Sequence, residues 1–141
     1  MSALSENCHH DRATVDGEHR MQIELIDALQ ATLRHPTGAT PGPTALMDQL
    51  QSFCAAHFMS EELLMRFCAY PELDDHIADH ERTLETLAGI ALNQPADPVA
   101  AEASLSEIKG FLTAHIRTRD LAFTEYFRRW SEVGSADRLV D

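Results

Sequence analysis

Apolar residues recur at three- and four-residue intervals along most of the chain, and no segment alternates in the two-residue rhythm of a half-buried strand. Pro and Gly break that rhythm in three places: HPTGATPGP (35–43), YPEL (70–73) and NQPADP (93–98). Four helices are predicted between the breaks. Helix A runs from about Thr14 to Arg34, B from Thr44 to Ala69, C from Glu72 to Asn93, and D onward from Pro98, with Asp97 placed as its N-cap. Four such helices with mostly short connections predict an all-α, up-down-up-down antiparallel four-helix bundle over residues 14–130. Residues 1–13 read as an N-terminal arm and 131–141 as a C-terminal tail.

The inward stripes are not purely apolar. Helix A presents His19, Ile23, Ile26, Leu29 or Gln30, and Leu33. Helix B presents Met47, Leu50, Cys54, His57, Glu61, Leu64 and Cys68. Helix C presents His76, His80, Leu84, Leu87 and Ala91. Helix D presents Leu105, Ile108, Leu112 and His115, then Phe123 and Phe127. Burying one unpaired polar group costs a few kcal/mol. Six of them (His19, His57, Glu61, His76, His80, His115) would offset the roughly 5–15 kcal/mol that stabilises a typical domain. A bound metal compensates all six together.

Single motifs are weaker than the set. A lone buried His is more often a hydrogen-bonded core residue, and His57–Glu61 at i,i+4 equally suits a surface pair. His76 and His80, one turn apart, can reach one ion from the same face. Asp120 follows His115 by five residues, about 140° around an ideal helix. It either faces solvent, paired with Arg117 or Arg119, or turns inward through a locally wider turn such as a π-bulge.

Composition narrows the function. The chain has 141 residues, 44% of them hydrophobic and 24% charged, which suits one globular domain. Its 23 acidic and 11 basic residues give a net charge of −12, which argues against nucleic-acid binding. No apolar run approaches the ~18 residues of a membrane span. MSALSENCHHDRATV has neither the basic start nor the apolar stretch of a secretory signal. Three cysteines, two of them in helix B, point to free thiols in the cytoplasm. Cys8, His9 and His10 read as part of a tail rather than a metal site.

The segments DGEH (Asp16 to His19), HFMSE (His57 to Glu61), HIADH (His76 to His80) and HIRTRD (His115 to Asp120) together resemble the bacterial hemerythrins, as do EELLM after His57 and YP before His76. The resemblance spans roughly residues 15–127. Two features depart from it. The arm SENCHHDRATV lacks aromatic residues, and Phe111 stands where the family often has Trp, which alters packing more than chemistry.

Imidazole and carboxylate alone would allow zinc, manganese or iron. The resemblance implies two non-haem Fe ions with His19, His57, Glu61, His76, His80, His115 and Asp120 as ligands, bridged by Glu61, Asp120 and an oxo or hydroxo group. It further implies that His76, His80 and His115 share one iron and His19 and His57 the other. The second iron then keeps an open position, expected in a pocket between helices A and B. Five neutral histidines in an apolar shell favour reversible dioxygen binding, as in a carrier, store or delivery protein, over substrate oxidation. A sensor acting through a partner, or an enzyme reducing peroxide or nitric oxide, uses the same site. Nothing in the sequence names a protein partner. Asp16 and Asp79 are candidates to orient the rings, with a plain surface carboxylate an equal reading for each, and Glu62, about 100° from Glu61, is expected to lie on the flank.

Overall fold

The structure, a computed structural model, describes residues 12–35, 42–93 and 97–140. Its elements are α1 (Arg12–Arg34), α2 (Pro43–Phe67), α3 (Leu73–Asn93), α4 (Pro98–His115), a π-helical segment (Ile116–Asp120) and α5 (Leu121–Val140). The last three form one rod, because the backbone stays right-handed helical at both junctions, Ile116 and Leu121. No strand occurs among the described residues. Each of the first four helices packs against two others in the ring α1–α2–α3–α4. The fold is the expected all-α four-helix bundle.

The punctuation acts as read. Asp97 accepts a hydrogen bond from Ala100 N (3.0 Å), with Pro98 in the first turn. Helix α2 ends in a Schellman arrangement: Tyr70 N donates to Met65 O and Ala69 N to Arg66 O. Ala69 takes the left-handed conformation (φ 52°), usually left to glycine. Helix α5 continues to Val140, past position 130, where the sequence pattern ends the bundle. The arm 1–11, with Cys8, His9 and His10, lies outside the described residues, as do 36–41 and 94–96 in two of the loops.

Below the histidines, Ile26, Leu29, Leu50, Cys54, Leu87, Leu105, Ile108 and Leu112 form the main core. A smaller cluster of Met65, Cys68, Tyr70 and Phe123 closes the other end. The polar stripe residues sit between the two. Gln30 ties α1 to α4 by donating to Ser106 Oγ (2.8 Å) and Glu102 O (3.2 Å).

Two stripes differ in phase from the pattern. On α3, Thr83 and Ile90 are buried while Leu84 and Ala91 are only partly so. The Thr83 hydroxyl donates to Asp79 O within its own helix, so it enters the core already satisfied. On α1, Gln22 is fully buried and Ile23 half-buried.

Candidate metal centre

The six polar residues of the stripes and Asp120 are all buried at one level of the bundle. His19 comes from α1, His57 and Glu61 from α2, His76 and His80 from α3, and His115 from α4. Asp120 closes the π-helical segment and is only 4% exposed. The extra residue in that wider turn brings Asp120 round to His115, with 2.9 Å between Nε2 and Oδ1. Of the solvent partners considered for Asp120, Arg119 instead pairs with Asp79 (2.8 Å), and Arg117 makes no ion pair among the described residues.

The ligand-type atoms form two groups. His76, His80, His115 and Asp120 each place one within 4.8 Å of the others, and so do His19, His57 and Glu61. Two carboxylates lie between the groups. Asp120 Oδ1 is 2.8 Å from His76 Nε2 and 2.9 Å from His115 Nε2, while its Oδ2 is 3.1 Å from His19 Nε2. Glu61 Oε1 is 3.5 Å from His57 Nε2 and 3.2 Å from His80 Nε2.

The outer ring nitrogens set the tautomers. His57 Nδ1 faces Glu18 Oε2 (3.1 Å), His80 Nδ1 faces Glu62 Oε2 (2.8 Å), and His115 Nδ1 faces Asp79 Oδ2 (2.9 Å). A carboxylate can only accept, so each Nδ1 carries the proton and each Nε2 turns a lone pair inward. Asp79 is one of the two orienting carboxylates expected. Asp16, the other, is exposed and makes no hydrogen bond to His19 among the described residues. Glu18 and Glu62 act in this way instead. Both stand at a seam between helices, so the neighbouring helix decides their role and the period of their own helix does not reveal it.

Inside the ring, lone pairs face carboxylate oxygens. His19, His57, His80 and His115 Nε2 and Glu61 Oε1 are buried without a hydrogen bond. Only His76 Nε2 makes one, to Asp120. Orphaned acceptors crowded at 3–4 Å need a cation between them, so the donor set fits a metal. Without one, protons take that place. Burial opposes charge on His19, but Asp120 and Glu61 outweigh it and push its pKa up to about 9. Burial also opposes charge on His115, yet Asp120 and Asp79 raise it. Burial wins at His57, which is lowered. Against burial, His19 and His80 draw Glu61 down to about 2, and His115, His19 and His76 hold Asp120 far below the usual carboxylate range.

Packing fixes the rings further. Phe58 stacks on His80 (4.0 Å, 7°), and Tyr70 meets His76 edge-on at 6.1 Å. Among the described residues, two of the cavities reach the site at His19. One, of about 100 Å³, is lined by Val15, Asp16, His19, Leu64, Asp120 and Phe127, among others. The second, of about 160 Å³, lies between α1 and α4. The first cavity lies chiefly at the seam of α1 with the fourth rod, and Leu64 lines it from α2. Ile116, the first residue of the wider turn, lines both cavities.

No helix among the described residues is long and apolar enough to cross a membrane. A bacteriohemerythrin of Stenotrophomonas maltophilia (strain R551-3) is 26% identical over 111 residues, covering 79% of this chain and 71% of its own length. The hemerythrin HHE cation binding domain matches residues 10–126, a span that contains all seven clustered side chains. The chain therefore belongs to the hemerythrin family of cation-binding four-helix bundles.

Proposed function

We propose that the chain binds dioxygen reversibly at a non-haem centre of two iron ions, as a carrier, store or delivery protein of the cytoplasm. His76, His80 and His115 would hold one ion and His19 and His57 the other, with Glu61 and Asp120 shared. The observation that carries this reading is Asp120, whose two oxygens are divided between the two histidine groups. Bound iron would supply the electrons for dioxygen binding and recover them on release.

The chain's own residues make release favourable over loss of reduced oxygen. Glu18, Glu62 and Asp79 lock the rings so that little reorganises when a ligand arrives. Phe58, Tyr70 and Phe123 pack the histidine walls and exclude water, and with it the protons that would carry reduced oxygen away. Five neutral imidazoles against two carboxylates leave the site short of the negative charge that favours substrate oxidation.

An optical spectrum of the reduced protein, recorded before air, after air and after removal of oxygen, tests the proposal. A reversible change supports it. An irreversible one, with sustained turnover of added peroxide, would favour the enzyme instead.

A further inference from the structure

Three carboxylates stand behind the inward-facing rings, and one of them differs from the others. Asp79 Oδ2 accepts from His115 Nδ1 (2.9 Å) and also from Arg119 Nε (2.8 Å). Glu62 and Glu18, behind His80 and His57, pair with no arginine or lysine among the described residues. Burial does not separate Asp79 from Glu62, whose side chains are 21% and 20% exposed. The cation does. Asp75, one turn earlier on α3, lies 3.7 Å from Arg119 Nη1 and steadies the same guanidinium. Arg119 belongs to the π-helical segment and directly precedes Asp120. The two neighbours therefore act on opposite ends of one imidazole. Asp120 meets His115 Nε2 (2.9 Å), and Arg119 stands behind Nδ1 with Asp79 between them.

We propose that Arg119 is a positioning residue that, through Asp79, limits how strongly His115 donates to a bound metal. A bare carboxylate draws the Nδ1 proton toward itself and makes the ring a more basic ligand. A guanidinium on the same oxygen takes up part of that negative charge, so less of it reaches the ring. His115 is then a weaker donor than His80 and His57, whose carboxylates carry no such cation. Asp79 stays on the ring in either case, because the buried N–H of His115 would otherwise lose its acceptor. A weaker donor favours the reduced metal, the form that reversible oxygen binding needs. That consequence rests on the di-iron reading; the relay from Arg119 to His115 does not.

Redox titration of the iron-loaded full chain compares wild type, R119Q and R119K. The Arg119 side chain is 41% exposed, so water screens it and the effect falls at the low end of outer-shell changes. R119Q should shift the balance about tenfold toward the oxidised form, a potential about 59 mV lower for one electron. R119K keeps a cation and should restore most of that shift. Equal potentials in wild type and R119Q overturn the proposal even if R119Q melts lower, because a purely structural latch changes stability alone. A higher potential in R119Q also overturns it, since Asp79 would then have left the ring. The zinc-loaded chain separates this outcome from failure of the di-iron reading. There the His115 Nδ1 proton should resonate further downfield in R119Q than in wild type, as its acceptor regains charge. An unmoved signal refutes the relay, whichever metal the native protein holds.

Discussion

Glu62 Oε2 accepts a hydrogen bond from His80 Nδ1 at 2.8 Å, although Glu62 follows the inward-facing Glu61 directly and stands on the flank of α2. Two consecutive carboxylates thus serve the two nitrogens of one imidazole, Glu61 at Nε2 and Glu62 at Nδ1. Adjacent residues on one helix can do this because the ring reaches across the seam from α3. Glu62→Ala frees the ring and leaves its N–H without an acceptor. Metal affinity is expected to fall about 10–100-fold while the helix content is kept. Competition with a chelator measures it, and an affinity equal to wild type would return Glu62 to the surface role its helical phase suggests.

Metal content follows from the two clusters. Native protein is expected to carry two irons per chain, and Glu61→Ala or Asp120→Ala fewer. Stripping the metal leaves the orphaned nitrogens buried and should lower the melting temperature by several degrees or more. Elemental analysis finding one zinc and no iron in native protein would contradict this.

The metal-free chain should show a two-sided pH dependence. His19, raised from 6.5 to about 9, contributes stability that is full below pH 6.5 and lost as pH rises through 9. Glu61, lowered from 4.5 to about 2, contributes stability that is full above pH 4.5 and lost as pH falls toward 2. Melting temperature should therefore peak between about pH 4.5 and 6.5. Metal binds the deprotonated ring, so loading at pH 7 should release protons and abolish the alkaline decline. Thermal melts of both forms from pH 2 to 9 check this; a metal-free chain that gains stability toward pH 9 would disprove it.

Ligand entry should be controlled from the His19 side. Leu64 lines the cavity of about 100 Å³ at His19, whereas Leu84 lines neither cavity described. Leu64→Trp is expected to slow oxygen association by an order of magnitude or more and Leu84→Trp to leave it within about twofold. Flash photolysis or stopped flow separates them, and equal slowing would place the route elsewhere.

Ala69 offers a stabilising change away from the metal. It holds φ 52° at the end of α2, a conformation that costs an L-residue about 1 kcal/mol relative to glycine. Ala69→Gly should raise stability by roughly that amount, less the chain entropy glycine brings to the unfolded state. Denaturant unfolding measures the gain.

Much of this arrangement was legible in the sequence because an α-helix repeats in register with its stripe. Glu61, His76 and His80 fall on buried phases that spacing alone reveals. Asp120 needed the resemblance, since a uniform helix turns it away and only the wider turn at Ile116–Asp120 restores it. Gln22, Thr83 and the ring partners Glu18 and Glu62 escaped because polarity was read as exposure. Each is drawn inward by a specific acceptor or donor, such as Cys54 Sγ at 3.5 Å from Gln22 Nε2, that no periodicity encodes. The cavities escaped for a related reason: they arise where two helices fail to meet, which depends on both.

The π-helical segment amounts to one additional residue spliced into the fourth rod. Upstream, the buried positions fall at Leu105, Ile108, Leu112 and His115; downstream they resume at Asp120 and Phe123, one place later than an uninterrupted helix would put them. The same splice that turns Asp120 toward His115 therefore chooses Phe123 to meet Tyr70 at 5.0 Å and seal the bundle's end. Chain length here behaves like a gear tooth. Thr118, exposed and with its hydroxyl donating to Ala114 O, can change in kind. It cannot be lost without swinging everything from Asp120 to the C-terminus out of mesh.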